Sequence, residues 1–420
     1  MDIVEELSWR GLVSQASDLE KLRAHMLEGA RTLYCGFDPT ADSLHIGSLV
    51  PLLTLRRFQL AGHRPILLLG GATGLIGDPS FRDDERNLNS ADVVAGWVDS
   101  IRRQVEPFLD FSGEQGAVMA NNLDWTENLG VIPFLRDIGK HFSVNGMISR
   151  DSVRTRLERP DQGISFTEFS YMLLQGMDYL ELAKRHSCTL QIGGSDQWGN
   201  IVSGVDLVRR HLAQEVYALT LPLVTKADGT KFGKTASGAV WLDAKRTSPY
   251  SFYQFWLNTS DDDVLNFLRF FTFLERSEVA ALELATTEHP EQRQAQRRLA
   301  EEVTRIVHGD DALTSASRIT GAIFGGDLSD LSESDFAQLA QDGLPSSHCA
   351  EGDGLLSTMV EGGLAKSIGD ARRLVQGGGV RINGEQVTDA SINVSFERSF
   401  YGQFLMLKKG KKVHHLLVRK

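Results

Sequence analysis

Between about residue 30 and residue 224, short apolar runs alternate with longer amphipathic stretches. The runs are "RTLYCGF" from Arg31, "RPILLLGG" from Arg64, "GAVMANN" from Gly116 and "TLQIGG" from Thr189. Between and after them lie helix-like stretches such as "LVPLLTLRRFQLAG", "ADVVAGWVDSIRRQVEPFLDF" and "SYMLLQGMDYLELAKRH". Buried strands separated by helices fit a parallel sheet, because each crossover lays a helix over one face and both faces end up covered. The pattern predicts an α/β domain with a Rossmann-like, doubly wound parallel sheet over residues 1–225. Sheets of this kind bind ligands outside the carboxyl ends of their strands. Glycines and polar residues follow "TLYCGF", "ILLLGG" and "LQIGG", so ligand contacts are expected there.

The character changes after "KFGKT" (Lys231–Thr235). "SPYSFYQFWLNTSDDDVLNFLRFFTFL" and "EHPEQRQAQRRLAEEVTRIVHG" read as helices, with acids near Asp261 suited to a helix N-terminus. A mobile loop and an all-α domain are therefore expected over 226–325. Residues 326–353 are richer in Ser, Asp and Gly and read as a connector. A small α+β domain is expected over 354–420, with a helix carrying Arg372 and Arg373 and a hairpin at Asn383-Gly384.

With 420 residues the chain exceeds one ordinary core, in keeping with two or three domains. The net charge of −11 is uneven: residues 371–420 hold ten Lys and Arg against three Asp and Glu, a net of +7. A basic end on an acidic body suggests a local polyanion contact, although a basic solvated surface would give the same composition. Three scattered cysteines, Cys35, Cys188 and Cys349, argue against a disulfide framework and for a reducing compartment, hence a cytoplasmic protein. The histidines show no paired ligand spacing, so no metal site is expected. No run of 18 apolar residues suggests a membrane helix, and "MDIVEELSWRGL" is too acidic for a signal peptide.

Five constellations carry chemistry. In "YCGFDPTADSLHIGS" (Tyr34–Ser48), Thr40, His45 and Gly47 lie around a helix start, where an anionic oxygen would be favoured. "ADGTKFGKT" has Asp228 where a phosphate loop needs glycine, leaving a glycine-containing loop with Lys231 and Lys234. Tyr171, Gln175 and Asp178 share one face of an apolar helix and suit a small ligand with polar groups at both ends. "LQIGGSDQWGN" places Gln191, Gly194, Asp196 and Gln197 at a strand end, where an acid commonly meets ribose hydroxyls. "GGATGLIGDPS" offers Asp78 to an ammonium group. Each also admits a plain structural reading as a capped helix, a solvated loop, a wetted helix face or a tight turn.

In combination these segments resemble class I aminoacyl-tRNA synthetases, and among them the bacterial tyrosine-activating type. "PTADSLHIGS" resembles the His-Ile-Gly-His signature and "KFGKT" the Lys-Met-Ser-Lys-Ser signature, in the family order and with "GGATGLIGDPS" and "QIGGSDQWGN" between them. Ser48 replaces the second signature histidine, and Gly233 replaces the signature serine. The resemblance implies activation of L-tyrosine with ATP, then transfer to tRNA(Tyr), by a homodimer with no tightly bound cofactor and with Mg2+ accompanying ATP. It implies that Tyr34 and Asp178 hold the tyrosine hydroxyl, that Asp78, Tyr171 and Gln175 take its ammonium, and that Gln197 lies near its carboxylate. Cys35, Gly36, Asp38, Gly47, Ser48, Gln191, Gly194 and Asp196 would contact the adenylate. Thr40 and His45 would stabilise the transferring phosphate, while Lys231, Lys234 and Thr235, helped by Arg82 and Arg86, would follow the pyrophosphate. The helices after Ser248 would bind the anticodon. The tail resembles a small RNA-binding fold named after a ribosomal protein, with Arg372, Arg373, Lys408, Lys409, Lys411 and Lys412 toward tRNA. Tryptophan activation and a non-catalytic RNA-binding role are the rival readings. The Tyr34/Asp178 pair favours a phenol, and RNA binding alone would not require His45, Asp196, Lys231 or Lys234.

Overall fold

A computed structural model of the chain describes residues 2–78, 89–150, 153–154, 157–158, 163–227, 229, 232–235, 238–410 and 413–420, with the side chains of 234 and 235 left aside. Its largest sheet has the order β1-β6-β5-β2-β3-β4. The strands are β1 (Gln15–Ala16), β2 (Thr32–Phe37), β3 (Arg64–Leu69), β4 (Val118–Asn121), β5 (Cys188–Gly194) and β6 (Tyr217–Leu221). The four apolar runs named from the sequence became β2, β3, β4 and β5. All neighbours are parallel except β1, which runs antiparallel to β6. That antiparallel edge corrects the expectation of a purely parallel sheet, since two residues are too few to show a period. The chain winds from β2 through β3 to β4, then returns to the other side of β2 as β5, so the winding reverses between β2 and β5. Ligand crevices form at such a reversal.

Register decides which face each side chain meets. Tyr34 pairs with Ile66 on β3 and with Gln191 on β5, so the three share a face. That face packs against Met177, Tyr179, Leu180 and Leu182 of helix Phe166–His186, and Leu207 and Val208 of helix Trp198–Leu212 join the same core. Each such side chain, fully buried, contributes about 1.5–3 kcal/mol.

The chain divides into two compact units, Met1–Leu242 with Ser260–Ala295, and Asp243–Thr259 with Gln296–Lys420. Helices Asp261–Phe271 and Arg276–Glu288 thus belong with the sheet unit, whereas the sequence placed them in a separate helical domain over 226–325. The physical reason is visible at the end of Asp261–Phe271. Buried Arg10 and Arg57 donate to the carbonyls of Arg269, Thr272 and Leu274, and of Phe270 and Thr272, respectively. A cation at a helix C-terminus also complements the dipole.

In the second unit β9 (Ser346–Cys349), β10 (Val380–Ile382), β11 (Glu385–Val387), β12 (Phe404–Lys409) and β13 (Val413–Arg419) form a sheet in the order β11-β10-β12-β13-β9. The predicted hairpin joins β10 to β11, with Asn383 at φ 48° and Gly384 at φ 88°, the paired positive values of a type I′ turn. Alternation along β12 and β13 splits the apolar residues between two cores. Leu405, Leu407 and Leu417 meet Leu355, Met359 and Val375, while Phe404, Met406 and Leu416 meet Ile319, Ile323 and Phe336. The stretch 326–353 is therefore not a plain connector. It holds helix Glu333–Gln338 and β9, which pairs in parallel with β13. Its Ser- and Asp-rich composition hid Leu331, Phe336 and Leu339, all buried.

Candidate active site

Tyr34 on β2 is almost completely buried, and its hydroxyl has no hydrogen-bond partner. Its ring meets Tyr179 edge-on at 5.2 Å. Burial, followed by the nearby charge of Asp178, holds its phenol well above the ordinary value. Asp178 stands on helix Phe166–His186, whose start is fixed by Ser165 accepting from the Glu168 amide. The Asp178 carboxylate is buried and accepts from Asn122 Nδ2 at 3.0 Å and Trp125 Nε1 at 2.9 Å. Desolvation outweighs those two bonds and pushes its pKa up to about 7.

A connected chain of hydrogen bonds ties Asp178 to three strand ends. Tyr171 donates to Asp38 Oδ2 at 2.6 Å, and Thr73 donates to Asp38 Oδ1 at 2.6 Å. Asn122 donates to Thr73 Oγ1 at 2.9 Å and accepts from the Ala72 amide at 2.7 Å. Asp38 follows β2, Thr73 follows β3 and Asn122 follows β4, so the network crosses the carboxyl edge of the sheet. Gly70 permits it, because a Cβ there would collide with Asp38 Oδ1 and Thr73 Oγ1.

A second polar group lies after β5. Gln197 donates to Asp78 Oδ2 at 2.6 Å and to Asp196 Oδ2 at 3.1 Å, and Asn200 donates to Gln197 Oε1 at 3.2 Å. Burial and then the Asp78 charge raise the Asp196 carboxyl above its usual range. Burial, with Asp196 adding, pushes the Cys35 thiol up to about 12. Gln175 Oε1 and Gln191 Oε1 are buried acceptors with no donor. The Tyr34 hydroxyl is likewise without a partner, whereas buried polar atoms ordinarily have one. Gln191 was expected beside the nucleotide, yet its register with Tyr34 puts it on the face covered by helix Phe166–His186, opposite in direction to Cys35.

The two signature segments meet through the backbone. His45 and Trp241 form an antiparallel bridge, the Ile46 amide donates to Val240 O at 3.0 Å, and the Leu242 amide donates to Leu44 O at 2.9 Å. The Val240 amide in turn donates to Gly233 O at 3.0 Å. Gly233 sits at φ 80°, and a Cβ there would lie 3.0 Å from Ile46 Cγ1, which explains glycine where the signature has serine. His45 is exposed, and its Nδ1 accepts from the Gly47 amide at 3.0 Å, opening the turn Ile46–Ser48 that leads into helix Leu49–Leu60. Thr40, Gly36 and Gly47 are exposed and Ser48 is half-buried. Arg82, Arg86 and Lys231, and the side chains of Lys234 and Thr235, lie outside the described residues.

The family model "tRNA synthetases class I (W and Y)" matches residues 26–325, and "Tyrosine--tRNA ligase SYY-like C-terminal domain" matches 335–417. The chain belongs to the class I tRNA synthetases. It is 57% identical over 418 residues to a tyrosine--tRNA ligase of Laribacter hongkongensis, covering 99% of this chain and 98% of that one. It is 56% identical over 416 residues to that of Chromobacterium violaceum, with the same coverage. Among solved structures, a C-terminally truncated mitochondrial tyrosyl-tRNA synthetase of Aspergillus nidulans superposes with a TM-score of 0.68 at 32% identity, over 75% of this chain and 92% of that chain.

Several groups of this synthetase's site escaped the sequence reading: Thr73, Asn122 and Trp125. Asn122 ends the quoted run "GAVMANN", and a polar residue at a strand's carboxyl end was the available signal. In the second unit Arg372 and Arg373 are exposed on helix Ile368–Gln376, and Arg373 lies 3.5 Å from Asp370. Lys408 and Lys409 are half-buried on β12, and Lys409 Nζ donates to Leu364 O at 2.6 Å, so that ammonium serves the fold. Lys411 and Lys412 lie outside the described residues. Among the described residues no group of three or more His, Cys, Asp or Glu is placed to hold a metal ion.

Proposed function

We propose that this class I synthetase activates L-tyrosine with ATP, giving tyrosyl-adenylate and pyrophosphate, and then transfers tyrosine to the terminal ribose of tRNA(Tyr). The observation that carries the reading is the pair at the closed end of the site, a buried Tyr34 hydroxyl without a partner and a buried Asp178 beside it. A phenol hydroxyl satisfies both, while a ligand lacking it leaves two buried polar groups unpaired. The near full-length likeness to tyrosine--tRNA ligases supports the same substrate. A tryptophan substrate would bring an indole N–H and no acceptor for the Tyr34 hydroxyl.

The remaining roles rest on the match of these residues to the family's motifs. Tyr171, Gln175 and Asp78 take the ammonium, with the Gln175 Oε1 acceptor open to it. Gln197 lies near the carboxylate, and Asp38, Gly194 and Asp196 meet the adenylate, with Cys35, Gly36, Gly47 and Ser48 on its ribose side. The tyrosine carboxylate attacks the α-phosphorus in line, so the enzyme needs no covalent nucleophile. It aligns reactants and stabilises the charge that grows on the phosphate oxygens. Thr40 and His45 act at the α-phosphate, and Lys231, Lys234, Thr235, Arg82 and Arg86 at the departing pyrophosphate. Mg2+ would accompany ATP as part of the substrate. Arg372 and Arg373 face tRNA from the second unit.

The exposed apolar residues Val131, Ile132, Leu135 and Val144 suit a second copy of the chain, giving a homodimer. Three free, buried cysteines fit the reducing cytoplasm. The test is exchange of labelled pyrophosphate into ATP. Tyrosine, but neither phenylalanine nor tryptophan, should stimulate it, and Asp178→Ala should abolish it while the fold persists. Near-normal tyrosine-dependent exchange in that variant would contradict the reading.

A further inference from the structure

Leu44 precedes His45, and its amide and carbonyl are held by different parts of the sheet unit. The Leu44 amide donates to Gln104 Oε1 at 2.7 Å. Gln104 Nε2 donates to Ser43 Oγ at 3.0 Å, and Ser43 Oγ donates to Leu44 O at 2.8 Å, which closes a ring. The Leu242 amide donates to the same carbonyl at 2.9 Å. The Gln104 side-chain amide thus pairs with residues 43 and 44 much as a neighbouring strand would, with its carbonyl and its N–H both used. Ser43 and Leu44 are buried, so an apolar side chain in place of Gln104 would leave a buried N–H without this acceptor. Gln104 lies 60 positions further along, near the end of helix Ala91–Val105. That helix buries Val94, Val98, Ile101 and Val105 along one stripe and is anchored in the sheet unit.

We infer that Gln104 is a positioning residue for His45. Each peptide unit is planar, so the path from Leu44 to His45 is set by the two soft dihedrals of Leu44. Gln104 holds the peptide that carries the Leu44 N–H, while Ser43 Oγ and Leu242 hold the peptide that carries its carbonyl. With both planes fixed, the chain enters His45 in one direction. The bridge between His45 and Trp241 and the bond from the Ile46 amide to Val240 hold His45 and the residue after it. Gln104 reaches the residue before it from a separate element, helix Ala91–Val105. The imidazole is thereby placed from two sides of the fold. The inference rests on the reading above, in which His45 acts at the α-phosphate.

Full-length Gln104→Met, Gln104→Glu and His45→Ala, with the double variant Gln104→Met/His45→Ala, separate the two ideas. Gln104→Met keeps the side-chain length and removes both bonds. It should slow tyrosyl-adenylate formation, at saturating ATP and tyrosine, about tenfold or more, because a small misplacement of a group at the reacting centre costs rate on that scale. The tyrosine Kd, read from intrinsic fluorescence, should stay within about twofold, because Tyr34 and Asp178 are untouched. Gln104→Glu, which keeps an acceptor for the Leu44 amide, should recover most of the rate. In the His45→Ala chain, adding Gln104→Met should cost less than about twofold, since no imidazole is left to place. If Gln104→Met does not fold, Ser43→Ala, which breaks one arm of the same ring, is read by the same comparisons. A wild-type rate in Gln104→Met, alongside an impaired His45→Ala, overturns the inference and leaves the functional reading standing. The full loss repeated on top of His45→Ala, or a parallel loss of tyrosine affinity, overturns it too, since either marks general disruption. A wild-type rate in His45→Ala overturns the role given to His45, and this inference with it.

Discussion

Asp178 is buried and, among the described residues, accepts from Asn122 and Trp125. Its folded pKa of about 7 lies above the unfolded carboxylate value of about 4, so the folded state binds the proton more tightly. The stabilising contribution of that proton is complete below about pH 4 and is lost as pH rises to about 7. Three pKa units amount to roughly 4 kcal/mol. Asp178→Asn removes the titration. Compared with wild type in chemical denaturation, the variant should gain relative stability between pH 4 and pH 8 while losing tyrosine activation. A stability difference that stays level across that range would show that the carboxylate is not strained by burial. The charge is kept at this cost because a phenol hydroxyl needs a buried acceptor.

Helix Asp261–Phe271 shows how one element gathers remote parts of the chain. Its N-terminal acids were legible from Asp261, Asp262 and Asp263, but its allegiance was not. Arg57 decides that allegiance. Its guanidinium is buried, its pKa is pulled down to about 9 by desolvation and then by Arg10, and it serves the carbonyls of Phe270 and Thr272. Arg57→Ala should lower unfolding stability by about 3 kcal/mol or more, from orphaned carbonyls and a cavity together. Amides near Phe271 should exchange faster. Unchanged stability would mean that Arg10 alone suffices to hold the helix end. Nothing in "TLRRFQL" distinguishes Arg57 from the exposed arginine of an ordinary helix. Its role depends on residues more than 200 positions away.

At the scale of the whole molecule, the sheet Ser346–Arg419 cannot be treated as a removable tail. Phe404, Met406 and Leu416 share a core with Ile319, Ile323 and Phe336. Deleting residues 354–420 should therefore expose that core and strip β9 of its partner, giving a chain that aggregates. Joint replacement Arg372→Glu and Arg373→Glu tests the basic surface without that damage, since both side chains are exposed. It should reduce tRNA charging about tenfold or more, through lost phosphate contacts and added repulsion, and leave pyrophosphate exchange intact. Equal loss of both activities would remove tRNA from these arginines. By itself the sequence determined the parallel strands β2 to β5, the Asn383-Gly384 turn and the signature segments around His45 and Lys231, because periodicity and turn chemistry act over a few neighbouring residues. Only the tertiary structure decided which side of the sheet Gln191 faces, that Asn122 and Trp125 hold Asp178, that Gly233 must fit against Ile46, and where one unit ends. Those facts depend on strand register and on contacts across the fold, which no local stretch of chain encodes.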